Sequence, residues 1–314
     1  MPMIKGVLRL TLQKRKANIK NEINARLFLL PALLFFFVFI AYPVVFILYG
    51  SLFQWSTLAN LSFVGLGNYT ELLQDNIFHI VLKNAGLWIL FTIFIQMVLG
   101  FILAYIIEEK LSRTKGFFRT VYFIPVVTSV VAIAILFKNM FSPYQGLITN
   151  ALRSLGIGGA MNFLGDSKSV IFSIIFVNIW EWTGWSMVLY IAGISQISSD
   201  VKEAAQIDGA NGLKMIFHIH LPLLSATHKS LIMLGIIGSL QTFALVYSMT
   251  MGGPNNASHM PGTYIFKTGF QVQKMGYASA ISVVILLIAL ILTALQVSFL
   301  HSGNFIGKGA SEHA

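Results

Sequence analysis

Apolar residues along this chain come in long, almost unbroken runs, with polar residues gathered in the segments between them. A helix that crosses a bilayer needs roughly 20 such residues. Six stretches meet or approach that length: residues 27–53, 80–107, 121–137, 170–194, 230–250 and 278–300, of which the third is the shortest. The first is too long for a signal-peptide core and lacks a small-residue cleavage site after it, so it is expected to stay as an anchor. Pro31 and Pro43 within it are expected to start and to kink the helix. The pattern predicts an all-α polytopic membrane protein with about six transmembrane helices over residues 27–300. A basic segment, residues 1–26, precedes the spans, and a tail, residues 301–314, follows them. No internal repeat, low-complexity tract or linker divides the chain into separate domains.

Composition agrees with the pattern and removes alternatives. The 314 residues are 56% hydrophobic and 10% charged, against about 25% charged in a soluble domain. The chain has no cysteine, which excludes a disulfide framework and thiolate metal sites. The net charge of +10 would suggest nucleic acid in a soluble protein. Its distribution points to membrane topology instead, because Lys and Arg near span ends are retained on the cytoplasmic side. Lys5, Arg9, Lys14, Arg15, Lys16, Lys20 and Arg26 precede the first span. Lys110, Arg113, Lys115 and Arg119 follow the second, Lys202, Lys214 and Lys229 follow the fourth, and Lys308 lies in the tail. Residues 54–79 contain none. Both termini are therefore expected in the cytoplasm of a bacterial cell, with the chain multi-pass in the inner or plasma membrane. Ile4, Val7, Leu8 and Leu12 recur at helical spacing among the basic residues, which fits either a helix on the inner leaflet or a solvated basic tail.

The cytoplasmic loop 197–225 has its own helical punctuation. Asp200 is placed to cap a helix with Glu203 as its third residue, a capping box. Glu203, Ala204 and Ala205 would offer small side chains to an approaching surface. Gly209 is expected to end this helix in the left-handed conformation. A second turn with Leu213, Ile216 and Phe217 on one face follows, and Pro222 is expected to stop it. Two short helices at an angle make a knob suited to a groove on a soluble partner.

At this point the sequence resembles a known family. Glu203-Ala-Ala-x-x-Asp-Gly-Ala210, followed by Phe217-x-Ile-x-Leu-Pro222, is similar to the EAA loop of permease subunits of binding-protein-dependent ABC importers. Tyr42-Pro43 with Ser51-Leu-Phe53, Phe63-Val-Gly-Leu-Gly-Asn-Tyr69, Thr250-Met-Gly-Gly-Pro254 and Gly276-Tyr-Ala-Ser-Ala280 are similar to motifs of its carbohydrate-uptake, maltose-type branch. The resemblance runs from about residue 30 to 295. Ser225 departs from it, since many members have proline there. It implies a type I importer permease fold in which Glu203, Ala204, Ala205, Asp208, Gly209, Ala210, Phe217 and Pro222 couple the chain to an ATPase.

The chain lacks a G-x-x-x-x-G-K-[ST] phosphate loop. No cofactor or catalytic residue is therefore expected in this chain, and ATP and magnesium belong to a partner. The implied partners are a second homologous permease, two cytoplasmic ATP-binding subunits, an extracytoplasmic substrate-binding protein, a carbohydrate and the lipid bilayer, with no nucleic acid.

The fourth span carries the polar exception. Asn178, Glu181, Trp182 and Trp185 fall at i, i+3, i+4 and i+7, so they share a helix face. An acid inside a span is costly and normally faces a cavity or a partner. Carboxylate and amide can bond sugar hydroxyls, while indole faces cover the apolar side of a pyranose. The resemblance carries a substrate-path role to these four and to Ser239; Gln241 and Gln96 join on polarity alone. Pairing of Glu181 with a partner subunit, and tryptophans at the lipid interface, stay open as alternatives. His218 and His220 point about 200° apart on a helix, a poor chelate, so these two and His228 are expected on a solvated rim and no metal is expected. The loops 139–168 and 251–276, rich in glycine and proline, are expected to be irregular and to receive the binding protein.

Three other functions are weighed. A carrier of glycerol 3-phosphate or another anion should expose basic groups or helix N-termini along its path. An ion-coupled secondary transporter should show repeats or paired interrupted helices. An intramembrane enzyme would need a nucleophile–base or metal set.

Overall fold

The structure, a computed structural model, describes residues 28–57, 60–111, 113–156 and 162–302, with side chains to residue 298. The expected inner-leaflet helix of residues 1–20 lies outside the described residues. The apolar runs form helices because a helix satisfies every backbone hydrogen bond internally, as lipid requires. α1 is Phe28–Gly50, and a π turn at Phe37–Ala41 precedes Pro43. A short antiparallel hairpin follows, β1 Phe53–Gln54 with β2 Ser62–Phe63, pairing Phe53 with Phe63. α2 is Gly67–Gln74, and α3 runs from Asn76 through a closing π turn to Lys110.

The third expected span is not one helix. α4, Lys115–Val127, and α5, Val130–Met140, meet at 92°. Pro125 has no N–H to give the preceding turn, and the hydroxyl of Thr128 donates to the Ile124 carbonyl at 2.8 Å, which supports the break. α7, Val170–Ile194, matches the fourth expected span residue for residue. The fifth is corrected as well: α10, Ser225–Leu240, and α11, Ala244–Thr250, are separated by residues 241–243. α13, Met275–Ser302, is the sixth. Among the described residues four helices are long and apolar enough to cross a membrane, and bent pairs raise the number to as many as six. The segments expected to be irregular also contain helix: α6, Leu147–Ser154, in the first, and α12, Pro261–Phe266, in the second.

α3 and α7 form the central pair. α4 lies on α7, α10 on α3, and α11 on α5, while α13 bridges α1, α10 and α12. Lipid gives no hydrophobic drive between helices, so close packing has to hold them. Gly184 permits one such approach, because a Cβ there would lie 2.0 Å from the Tyr122 carbonyl oxygen of α4. The Gly184→Ala variant should therefore lose about 1–3 kcal/mol through overpacking, seen as a lower Tm of the purified chain in detergent. An unchanged Tm would mean that α4 does not sit against α7 in this way.

The ends of α3 anchor two different sets of segments. At its start, Asp75 accepts the Ile77 N–H at 2.8 Å, the Tyr277 hydroxyl at 2.6 Å and the Tyr264 hydroxyl. Partial burial alone would raise the pKa of this carboxyl, yet the two phenols and the backbone N–H hold it below the usual carboxylate range. Its far end meets the 197–225 loop. α1 stands apart, exposed along nearly its whole length and touching α13.

Candidate functional site

Between α3, α7, α10 and the break after Leu240 lies a cavity of about 550 Å³, within the range of small-ligand sites. All four residues of the sequence-derived face on α7 line it: Asn178, Glu181, Trp182 and Trp185. Ser239, Gln241 and Gln96 line it too. Glu181 is 3% exposed, and its Oε2 has no hydrogen-bond partner among the described residues. An unpaired polar atom so placed needs a partner that arrives from elsewhere. Trp182 and Trp185 remain 40% and 37% exposed, so indole surface is available to a ligand. Gln96 Nε2 donates to Asn178 Oδ1 at 3.1 Å and fixes one amide against the other. The Ser239 hydroxyl donates to the Gly235 carbonyl at 2.7 Å, which leaves its oxygen as an acceptor.

Sequence reasoning missed several lining residues. Thr242 and Phe243 enter through the helix break, and Trp88, Thr92 and Ser186 enter from the central pair. The adjacent polar pair Gln241 and Thr242 inside an apolar run was the available signal for the break.

The 197–225 loop folds as a helix–turn–helix. α8, Ser199–Ile207, is capped by Ser198, whose hydroxyl accepts the Val201 N–H at 3.4 Å. Asp200 is therefore not the cap and Glu203 closes no capping box; Asp200 sits in the first turn, where it favours the helix dipole. Gly209 ends the helix at φ +81°, with Ala210 N–H donating to the Ala205 carbonyl at 2.8 Å. α9, Leu213–Leu223, contains a π turn at Ile216–His220 and meets α10 at 66°. Pro222 does not stop it; the break falls at Leu224, which is buried against α7.

Glu203, Ala204, Asp208, Gly209, Phe217 and Pro222 are exposed on this knob. Ala205 faces inward instead, 6% exposed, and Ala210 is half-buried. Exposed beside them are Ile207 at 86%, Leu213 at 70% and Phe217 at 60%. Ile216 departs from its expected place beside Leu213 and Phe217 by packing toward the core around Leu224.

The histidines also depart from expectation. His218 is exposed, but His220 is 1% exposed and His228 is half-buried. The π turn adds a residue to the α9 turn and rotates His220 inward. His228 Nε2 donates to the Leu221 carbonyl at 3.0 Å, and the Tyr190 hydroxyl lies 2.7 Å from Nδ1. Among the described residues no group of three or more His, Cys, Asp or Glu could hold a metal ion.

Comparison with known proteins shows the family. Residues 96–301 match the model of the family described as binding-protein-dependent transport system inner membrane component. The chain is 38% identical over 288 residues to the probable ABC transporter permease protein YurN of Bacillus subtilis (strain 168), covering 91% of this chain and 98% of that one. It is 34% identical to the lactose transport system permease protein LacF of Rhizobium radiobacter, over 88% and 93% of the two chains. Among solved structures it resembles a chain of a bacterial alginate ABC transporter in complex with an alginate pentasaccharide-bound periplasmic protein. There the TM-score is 0.77 with 24% identity, over 89% of this chain and 94% of that one. An all-α bundle with this knob, matched over about two thirds of its length by one family model and over nine tenths by YurN, belongs to the family of binding-protein-dependent transport system inner membrane components.

Proposed function

We propose that this chain is a membrane-spanning permease subunit that passes a sugar or oligosaccharide through the membrane by alternating access. The observation that carries this reading is the double service of α7. It walls the cavity with Glu181, Trp182 and Trp185, and at Ile194 it leads into the knob. Glu181 and Ile194 are separated by roughly 20 Å of helix, so the knob and the cavity wall belong to one lever. Displacement of the knob by an ATPase would tilt that wall and open the cavity to the other side.

The chemistry of the cavity supports a hydroxyl-rich cargo. A carboxylate, two paired amides and two indole faces suit a sugar. Among the described residues that line the cavity there is no lysine or arginine, which an anion path would call for. The lactose named for LacF is consistent with this class. The distribution of Lys and Arg supports a cytoplasmic side for the basic end of α3, the knob and both termini.

Hydrolysis of magnesium ATP occurs on separate subunits, docked at the exposed face of Glu203, Ala204, Asp208, Gly209, Leu213 and Phe217. A second permease completes the pore, and an external binding protein delivers the sugar. Mild-detergent isolation of the tagged chain from its native membrane should recover a homologous permease and a P-loop ATPase in stoichiometric amounts. Recovery of the chain without an ATPase, from membranes in which it supports uptake, would refute the reading.

A further inference from the structure

We infer that Glu109 is a positioning residue that fastens both helices of the knob to the end of α3, so that the knob and the transmembrane bundle move as one body. The inference rests on the coupling role proposed for the knob. The last five residues of α3 form a π turn, Ile106–Lys110, which sends two consecutive acids to different neighbours. Glu108 turns toward α4, where it pairs with Lys115 at 3.1 Å and with Arg119. Glu109 turns toward the knob. Its Oε1 takes the Lys202 ammonium of α8 at 2.7 Å and lies 3.5 Å from His220 Nε2 of α9. One carboxylate oxygen thus contacts both arms of the helix–turn–helix.

The surroundings make this contact more than a surface ion pair. Glu109 and Lys202 side chains are 27% and 23% exposed, and His220 is 1% exposed. Screening by water is reduced at such burial. The His220 ring stands edge-on to Tyr105, one helical turn before Glu109, with centroids 5.3 Å apart, and its Nδ1 lies 3.2 Å from the Met215 carbonyl. Among the described residues the Glu109–Lys202 ion pair joins α8 to the rest of the chain, and the same carboxylate oxygen touches the buried His220 ring of α9. Both connections of the knob to the bundle bend: residues 195–198 at one end and the 66° turn at Leu224 at the other. Apolar packing of Ile216 and Leu224 seats α9, but such contact is non-directional and would let the knob rock under a moving ATPase without shifting α3. The Glu109 contacts close that degree of freedom.

The test uses the complete importer reconstituted in liposomes: this chain, its partner permease, the ATPase subunits and the binding protein with its sugar. In Glu109→Gln, and in Lys202→Gln, the ATPase should remain bound while sugar transported per ATP hydrolysed falls about fivefold or more, the low end of an allosteric coupling energy. The charge swap Glu109→Lys with Lys202→Glu should raise the ratio above either single variant by restoring the α8 ion pair. Normal transport per ATP in Glu109→Gln, loss of the ATPase from the complex, or a swap no better than its single variants would overturn the clamp. Gly209→Glu separates the levels. If it too transports normally, the coupling role itself fails; if it is inactive while Glu109→Gln stays fully coupled, the clamp alone fails.

Discussion

Gly209→Glu should abolish ATP-driven uptake and transport-coupled hydrolysis while leaving the chain inserted in the membrane. The residue sits at φ +81°, beyond the last turn of α8, on the exposed tip of the knob. A side chain there is strained, because left-handed backbone costs an L-residue roughly 1–2 kcal/mol. It would not clash internally, since a Cβ at this position meets no atom within 4 Å. The added carboxylate would instead project outward beside the exposed Asp208 and the apolar Ile207. Loss of a central docking contact costs about 2 kcal/mol or more, so uptake should fall at least about 30-fold. Gly209→Ala, which brings the strain without the charge, should fall much less. Equal uptake by Gly209→Glu and the unchanged chain, measured with radiolabelled sugar in cells, would defeat the docking assignment.

Glu181→Gln carries the second large effect. Glutamine keeps the volume, so the central pair of helices should remain packed. What is lost is the carboxyl group in a cavity where Oε2 has no protein partner among the described residues. Leaving a buried polar partner unsatisfied costs about 1–3 kcal/mol. Uptake at limiting sugar should therefore drop about 10- to 100-fold, and the order of preference among competing sugars should change. Were Glu181 instead paired to the second permease, the same substitution would weaken subunit assembly and leave sugar preference intact. Competition assays and co-isolation of the two permeases distinguish these outcomes.

Much of this organisation is legible in the amino-acid order, and the gaps have identifiable causes. Residues 170–194 were bounded correctly because an apolar run ends at polar residues on both sides, and the phase of Asn178, Glu181, Trp182 and Trp185 put them on one face. The third and fifth spans were misread as continuous. Hydropathy is blind to direction, so a 92° bend after Pro125 and a break at residues 241–243 leave the apolar content almost unchanged. The knob shows the same limit on a smaller scale. Asp200 and Ser198 are both good capping residues, and only the backbone decides between them. The inward turns of Ala205 and His220 depend on a tertiary neighbour and on a π turn, neither of which has a pattern in the local sequence. Glu109 drew no attention for that reason: next to Glu108 and Lys110 it reads as an ordinary charged helix end.

The proposed transport cycle depends most on the source of its energy. The most direct measurement is accumulation of radiolabelled sugar in proteoliposomes holding the complete importer, with the sugar-loaded binding protein outside and magnesium ATP supplied to the ATPase subunits. The expected result is accumulation against a gradient that requires both ATP and the binding protein and persists when ionophores collapse every ion gradient. Uptake that proceeds without ATP and stops when an ion gradient is collapsed would contradict it.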